Sequence, residues 1–311
     1  MTPGSPPAGP PVGGLVLVDK EAGWTSHDVV ARCRGIFGQR RMGHAGTLDP
    51  DATGLLLVGL GRATRLLRFL TPLVKTYTAE VVLGVSTSTL DASGEVVGRF
   101  DMVGVSLADV RAAAGQLTGD IEQVPPMVSA LKVGGKRLHA LARAGVEVER
   151  APRPVTVARF EVEPTGRADV FAVTVTCSSG TYVRVLADDL GRLLGGGAHL
   201  QTLRRTAVGD FTVEMARPVD QLDPTAVLSP AQALRHLDAV TVDDEVARLV
   251  GRGLPLDRVP LGATGDGPWA LLDALGQLLA VYEATGTDRI RAAVVLVTDS
   301  GTPVGSDEER E

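Results

Sequence analysis

The 311 residues are 44% hydrophobic with a formal net charge of −6, enough chain for two globular domains with cores of their own. No run of 18 uncharged apolar residues suggests a membrane span, and Cys33 and Cys177 are too isolated for a disulfide framework or a cysteine-built zinc site. The acidity is uneven: residues 1–217 hold 24 Lys or Arg against 21 Asp or Glu, whereas 218–311 hold 7 against 16.

Residues 1–13, rich in Pro and Gly and without the basic-then-apolar pattern of a signal peptide, read as a disordered lead-in. GLVLVDK (14–20) reads as a short buried strand. Ser26 then reads as the N-cap of a helix, with Val29, Val30, Cys33 and Phe37 at helical spacing. Two glycines and a proline make Gly43–Pro50 a loop. GLLLVGL (54–60) predicts a buried strand, 76–85 an alternating one, and 107–117 a helix. The stretch 124–153, with Pro125-Pro126, Gly134-Gly135 and repeated basic residues, reads as an outward-reaching insertion with a helix near 137–144. Strands at 155–163 and 170–177 and a helix over 182–194 follow. From Pro218 the Asp- and Pro-rich composition predicts a linker to 239. The segment 240–302, with WALLDAL, QLLAVYEA and RIRAAVVLV between glycine turns, suits a small β-barrel, and 303–311 is an acidic tail. The mixture is α+β rather than strict βαβ alternation.

Common catalytic signatures are missing: GxxxxGK[ST], HExxH and GxSxG do not occur, and the glycines at 195–197 are not in GxGxxG form. The segment Arg40–Gly54, RRMGHAGTLDPDATG, remains. A glycine-rich loop presenting His44 and Asp49 beside Arg40 and Arg41 suits close approach to a polyanion. The residues alone leave a second reading open, in which Asp49 caps and Pro50 opens a helix. Clusters Arg32/Arg34/Arg40/Arg41, Arg62/Arg65/Arg68 and Arg204/Arg205 suit phosphate contact, or equally a solvated surface.

GHAGTLDPDATGLL resembles the nucleophile motif of the TruB family of tRNA pseudouridine synthases. GLVLVDKEAGWTSHDVV is similar to that family's first motif, with Glu21-Ala22 where a Pro often follows the Lys, and KTYTAEVVLG (75–84) is similar to its second. PPMVSALKVGGKRLHALARAGVEVERAPRPV (125–155) resembles its RNA-gripping insertion, and SSGTYVRVLADDLGRLLGGGAHLQTLRRTAVG (178–209) its last catalytic-domain motif. The matches span 14–217 in the family's order; beyond about 220 the likeness is weak.

The resemblance implies a pseudouridine-synthase catalytic domain over 14–217, with a mixed, largely antiparallel sheet, and a PUA-like RNA-binding barrel over 240–302. It implies isomerisation of the T-loop uridine (position 55) of tRNA. The expected enzyme needs no cofactor and no metal, binds the tRNA T arm and no membrane, and works as a monomer in the cytoplasm. Asp49 would be the catalytic carboxylate. Tyr77 would stack on the uracil and act in proton removal, and Arg184 would pair with Asp49. His44 would support the displaced nucleotides, Tyr182 would line the pocket and Leu203 would pack on the base. Tyr182 and Arg184, two residues apart, would face one pocket on an extended segment. Arg40, Arg41, Lys132, Lys136, Arg137, Arg204 and Arg205 are the candidates for the RNA backbone.

The chemistry suits those residues. Moving a glycosidic bond from N1 to C5 needs one carboxylate in a dry pocket and a base held outside its stack. Two other readings are a non-catalytic RNA-binding protein and an Asp-dependent nucleoside or glycoside hydrolase with Asp51 as second carboxylate.

Overall fold

The computed structural model describes residues 13–129, 132–133, 136–137 and 148–297, with 132–133 and 136–137 as backbone. Residues 1–12, residues 138–144 of the expected helix near 137–144, and the acidic tail lie outside the described residues. There are two compact units. One takes the chain up to Pro50, Leu55–Thr71 and Val213 onward; the other takes Asp51–Gly54 and Pro72–Thr212.

In the first unit, β1 (Gly14–Lys20) buries Leu15 to Val18 in succession, as a strand covered on both faces does. The next element, α1 (Ser26–Phe37), is capped by Thr25 and not, as expected, by Ser26. Thr25 has the extended backbone a cap needs. Its hydroxyl accepts the Asp28 N–H, and the Asp28 carboxylate accepts the Thr25 N–H. Val29, Val30 and Cys33 on α1 pack with Val16 and Val18 and with Met42, Leu56, Val58 and Leu60. Those last four lie on β2 (Met42–Ala45) and β3 (Thr53–Leu60), an antiparallel pair with His44 opposite Val58. Gly43, His44 and Ala45 are therefore strand rather than loop; pairing and the burial of Met42 outweigh the turn tendency of glycine. A 3₁₀ turn, Gly61–Leu66, leads into the short α2 (Leu67–Leu70), which the sequence pattern did not announce.

The second unit contains β4 (Lys75–Leu83), the hairpin of β5 (Val85–Thr87) and β6 (Val96–Arg99), α3 (Leu107–Gln116), and β7 (Gly119–Gln123). A two-residue hairpin, β8 (Lys132–Val133) and β9 (Lys136–Arg137), stands in the expected insertion. Then come β10 (Arg153–Pro164), β11 (Val170–Cys177), α4 (Val183–Leu193), β12 (Ala198–Val208) and β13 (Phe211–Thr212). The sheet order is β12–β4–β11–β10–β7 with every neighbour antiparallel. Helix α3 packs on β10 and α4 on β12. At one end Thr53 and Gly54 pair in parallel with Arg204 and Arg205. Gly54 has φ +99°, and a Cβ there would stand 2.2 Å from the Arg205 carbonyl oxygen, so only glycine allows this crossing.

Back in the first unit, β14 (Arg217–Pro218) and β15 (Val227–Leu228) flank β1, one parallel and one antiparallel. The stretch expected as a linker thus contributes strand residues, followed by α5 (Pro230–Ala233). The remainder holds β16 (Asp238–Thr241), α6 (Asp244–Gly251), β17 (Leu256–Asp257), β18 (Trp269–Leu272), β19 (Leu278–Ala284) and β20 (Arg289–Val295). Its five strands run β16–β18–β19–β20–β17. Trp269 and Tyr282 sit opposite each other, fully buried. Each has its polar end satisfied, indole N–H on Thr264 O at 2.6 Å and phenol on Leu254 O at 2.9 Å. The three predicted apolar segments are β18 to β20; α6 was not foreseen. The α+β class, a mixed and largely antiparallel sheet with a small C-terminal β-domain, is as the sequence implied.

Candidate active site

The loop between β2 and β3 carries Asp49, half-buried. No helix starts at Pro50, and β3 begins at Thr53, so the reading in which Asp49 merely caps a helix falls away. The backbone on both sides of Asp49 is held. Ser26 Oγ accepts the Leu48 N–H at 2.9 Å and donates to Leu48 O at 3.2 Å. Lys20 Nζ donates to Pro50 O at 2.8 Å, and the Gly23 N–H reaches the same oxygen at 3.0 Å. Lys20 is fully buried, and its ammonium also donates to Glu21 O and Trp24 O. Three carbonyl acceptors match its three donors and offset the cost of burying the charge. Gly46, with φ +78°, turns the chain out of β2 towards Asp49. His44, at the end of β2, meets His27 edge to face, with ring centres 5.4 Å apart and planes at 82°.

The expected cations of this unit differ in setting. A shallow hollow beside the end of α1 is lined by Arg34, Gly38, Gln39 and Arg40. Arg41 is exposed and donates to Thr64 Oγ1 at 3.2 Å. Arg65 donates to Val295 O at 2.9 Å, and Arg68 pairs with Glu283 at 2.9 Å, both in the C-terminal part of the same unit.

In the second unit, register brings a further group together. Tyr77 on β4 lies between Val175 on β11 and Arg205 on β12, and Leu203 lies opposite Ala79. Residues directly opposite share a face, and alternate residues along a strand do too, so Tyr77, Leu203 and Arg205 stand on one side of the sheet. Tyr77 is 8% exposed and Arg205 only 1%. Arg205, expected at a phosphate, is buried at a strand position paired with Tyr77. Arg204, half-buried, lies opposite Thr78 on the other face. Lys75 of the same β4 face is buried, donating to Leu73 O at 2.6 Å. Burial, and then the charge of Arg205, hold its ammonium down to about 8, with Cys177 opposing. Burial pushes both thiols, Cys33 and Cys177, up to about 11, which leaves neither as a ready nucleophile.

Arg184 is 4% exposed on the first turn of α4. It donates to Thr89 O at 3.0 Å and Val128 O at 2.9 Å, and lies 3.5 Å from Asp91 Oδ2. Asp91 uses its other oxygen in the turn, accepting from Thr89 Oγ1, Ser93 N and Ser93 Oγ. Tyr182 is the N-cap of α4, its N–H on Gln123 Oε1 at 2.9 Å and its carbonyl accepting Gln123 Nε2 at 3.3 Å. The segment is therefore helical from Val183. The idea that Tyr182 and Arg184 share a face as alternate strand residues does not hold, because a helix turns about 100° per residue. The hairpin residues Lys132 and Arg137 pair through their backbones, as do Val133 and Lys136.

Sequence reasoning missed Asp91, Lys20 and the Ser26 hydroxyl. The turn signature Asp91-Ala-Ser-Gly94 was visible, but nothing in it announced a cation partner. A lysine ending an apolar strand looks like a solvated terminus.

Among the described residues no helix is long and apolar enough to cross a membrane. The fold is that of pseudouridine synthases: a chain of a Cbf5–Nop10–Gar1 complex superposes with a TM-score of 0.72 at 27% identity, over 96% of this chain and 93% of that one. A chain of an H/ACA RNP bound to a substrate RNA containing 2′-deoxyuridine gives 0.71 at 24% identity, covering 93% and 87%. The family model for the N-terminal domain of TruB family pseudouridylate synthases matches residues 34–183, and that for the tRNA pseudouridylate synthase B C-terminal domain matches 184–241. A tRNA pseudouridine synthase B of Rhodococcus jostii (strain RHA1) is 49% identical over 296 residues, 93% of this chain and 95% of that protein. Its counterpart in Nocardia farcinica (strain IFM 10152) is 50% identical over 295 residues, 92% and 94%. The chain belongs to the TruB family of pseudouridylate synthases.

Proposed function

We propose that this enzyme isomerises the T-loop uridine at position 55 of tRNA to pseudouridine, with Asp49 as the essential carboxylate. The observation that carries the assignment of Asp49 is the loop that holds it, pinned at Leu48 by the buried Ser26 hydroxyl and at Pro50 by the buried Lys20 ammonium while the aspartate lies between them. That is how a reacting group is held in place before substrate arrives.

The reaction balances on its own. The C1′–N1 bond breaks, the uracil turns, C1′–C5 forms, C5 loses a proton and N1 gains one. No oxidant, reductant or phosphate donor is consumed. The uridine leaves its stack to reach the protein, and the Tyr77 ring and Leu203 suit a flipped base. The Tyr77 hydroxyl is our candidate for the C5 proton. Arg184, buried on the first turn of α4, is our candidate for the cation of the reaction. His44 and Tyr182 meet the nucleotides around the target, and Arg40, Arg41, Arg204, Lys132, Lys136 and Arg137 meet the backbone. The enzyme works as a monomer in the cytoplasm without cofactor.

Purified protein incubated with an unmodified T-arm stem-loop and no added cofactor should form pseudouridine. Free uracil would identify a hydrolase, and unchanged RNA that is nonetheless bound would identify a binding protein.

A further inference from the structure

We infer that Ser26 is a positioning residue for the Asp49 carboxylate, acting through the Leu48–Asp49 peptide. The proposal rests on Asp49 being the catalytic carboxylate, and adds the group that sets its backbone. Ser26 is 1% exposed at the first position of α1. Serine near a helix start ordinarily uses its hydroxyl to cap. Here Thr25 and Asp28 complete the capping box between them, so the helix does not need the Ser26 side chain.

That side chain goes instead to Leu48, 22 residues on, as acceptor to its N–H at 2.9 Å and donor to its carbonyl at 3.2 Å. One hydroxyl thereby performs both halves of a β-bridge. The Leu48 carbonyl and the Asp49 N–H belong to one planar peptide unit. Holding that carbonyl therefore sets the plane from which Asp49 departs. Lys20 holds the carbonyl of Pro50, the residue after Asp49. Replacing Ser26 removes both of these bonds from the peptide before Asp49, while Lys20 still holds Pro50. A carboxylate displaced by about 1 Å from its reacting position costs about a hundredfold in rate.

The test uses the full chain, an unmodified T-arm stem-loop and single-turnover rates at saturating enzyme, with affinity and thermal melting measured on the same preparations. Ser26→Ala should bind the stem-loop as the parent does and react about tenfold to a hundredfold more slowly. Ser26→Thr, which keeps the hydroxyl, should recover the rate to within about threefold of the parent, because the clamp is a hydroxyl function. Ser26→Cys keeps the volume with a weak donor and should fall between them; it takes over the test if the Ala protein does not fold. A parental rate in a folded Ala or Cys variant overturns the proposal. So does a rate loss matched by an equal loss of affinity, or a folded Thr variant as slow as the Ala one. Asp49→Asn in the same assay separates the two levels: if it turns over, the catalytic reading fails, whatever Ser26 does.

Discussion

The buried Arg184 guanidinium meets the partly exposed Asp91 carboxylate, Nη1 to Oδ2 at 3.5 Å, and the aspartate is also the organising residue of its own turn. The guanidinium is held from three directions, by two carbonyls and one carboxylate. Asp91→Asn keeps an acceptor oxygen for the turn and removes the charge. Single-turnover rate should fall about tenfold to a hundredfold while T-arm affinity holds, since the cation loses an anchor and not its identity. Stability should drop by about 1–2 kcal/mol in urea titration, less than for a pair with no other acceptors. A parental rate would show that Asp91 serves the turn alone.

Asp49→Asn is nearly isosteric, and the clamps on Leu48 and Pro50 are backbone contacts it leaves alone. It should bind tRNA normally and lose several orders of magnitude in turnover, as removal of a nucleophile does. Multiple turnover by a pure Asp49→Asn protein would end the assignment.

Lys75 ties stability to alkaline pH. Its ammonium is held at about 8, chiefly by burial and then by Arg205, against an ordinary value of 10.5. Between those values the unfolded chain binds more protons than the folded one, so this group makes folding stability rise with pH across that window. Lys75→Met removes the titration. The stability difference between parent and variant, from urea titrations at pH 7 to 10.5, should shift in the parent's favour as pH rises. A constant difference would mean that the lysine titrates normally.

Binding of tRNA should weaken steeply with salt in spite of the acidic sequence, because the acidity is concentrated after residue 217. Replacing Lys132, Lys136 and Arg137 together should flatten the slope of log K against log salt by about 0.7–0.9 for each phosphate that these side chains neutralise. An unchanged slope would remove this hairpin from the RNA interface.

Motif order, the strands at 14–20, 54–60 and 170–177, and the helices at 107–117 and 182–194 were legible in the chain. Local spacing records periodicity, turns and family motifs, and it is what singles out Asp49 for the test above. Asp-Pro left two local structures open, and only the continuation into β3 at Thr53 chose between them. What the chain could not show was partnership across distance. Arg205 looked like a surface cation beside Arg204; in the sheet the two alternate, so one is buried next to Tyr77 and the other is not. Arg184 meets Asp91 on a turn after β5, and the Ser26 side chain serves the loop 22 residues away rather than capping its own helix. Periodicity is written in neighbouring residues, whereas burial and hydrogen-bond partners depend on which segments the fold lays side by side. Tertiary structure alone decided those.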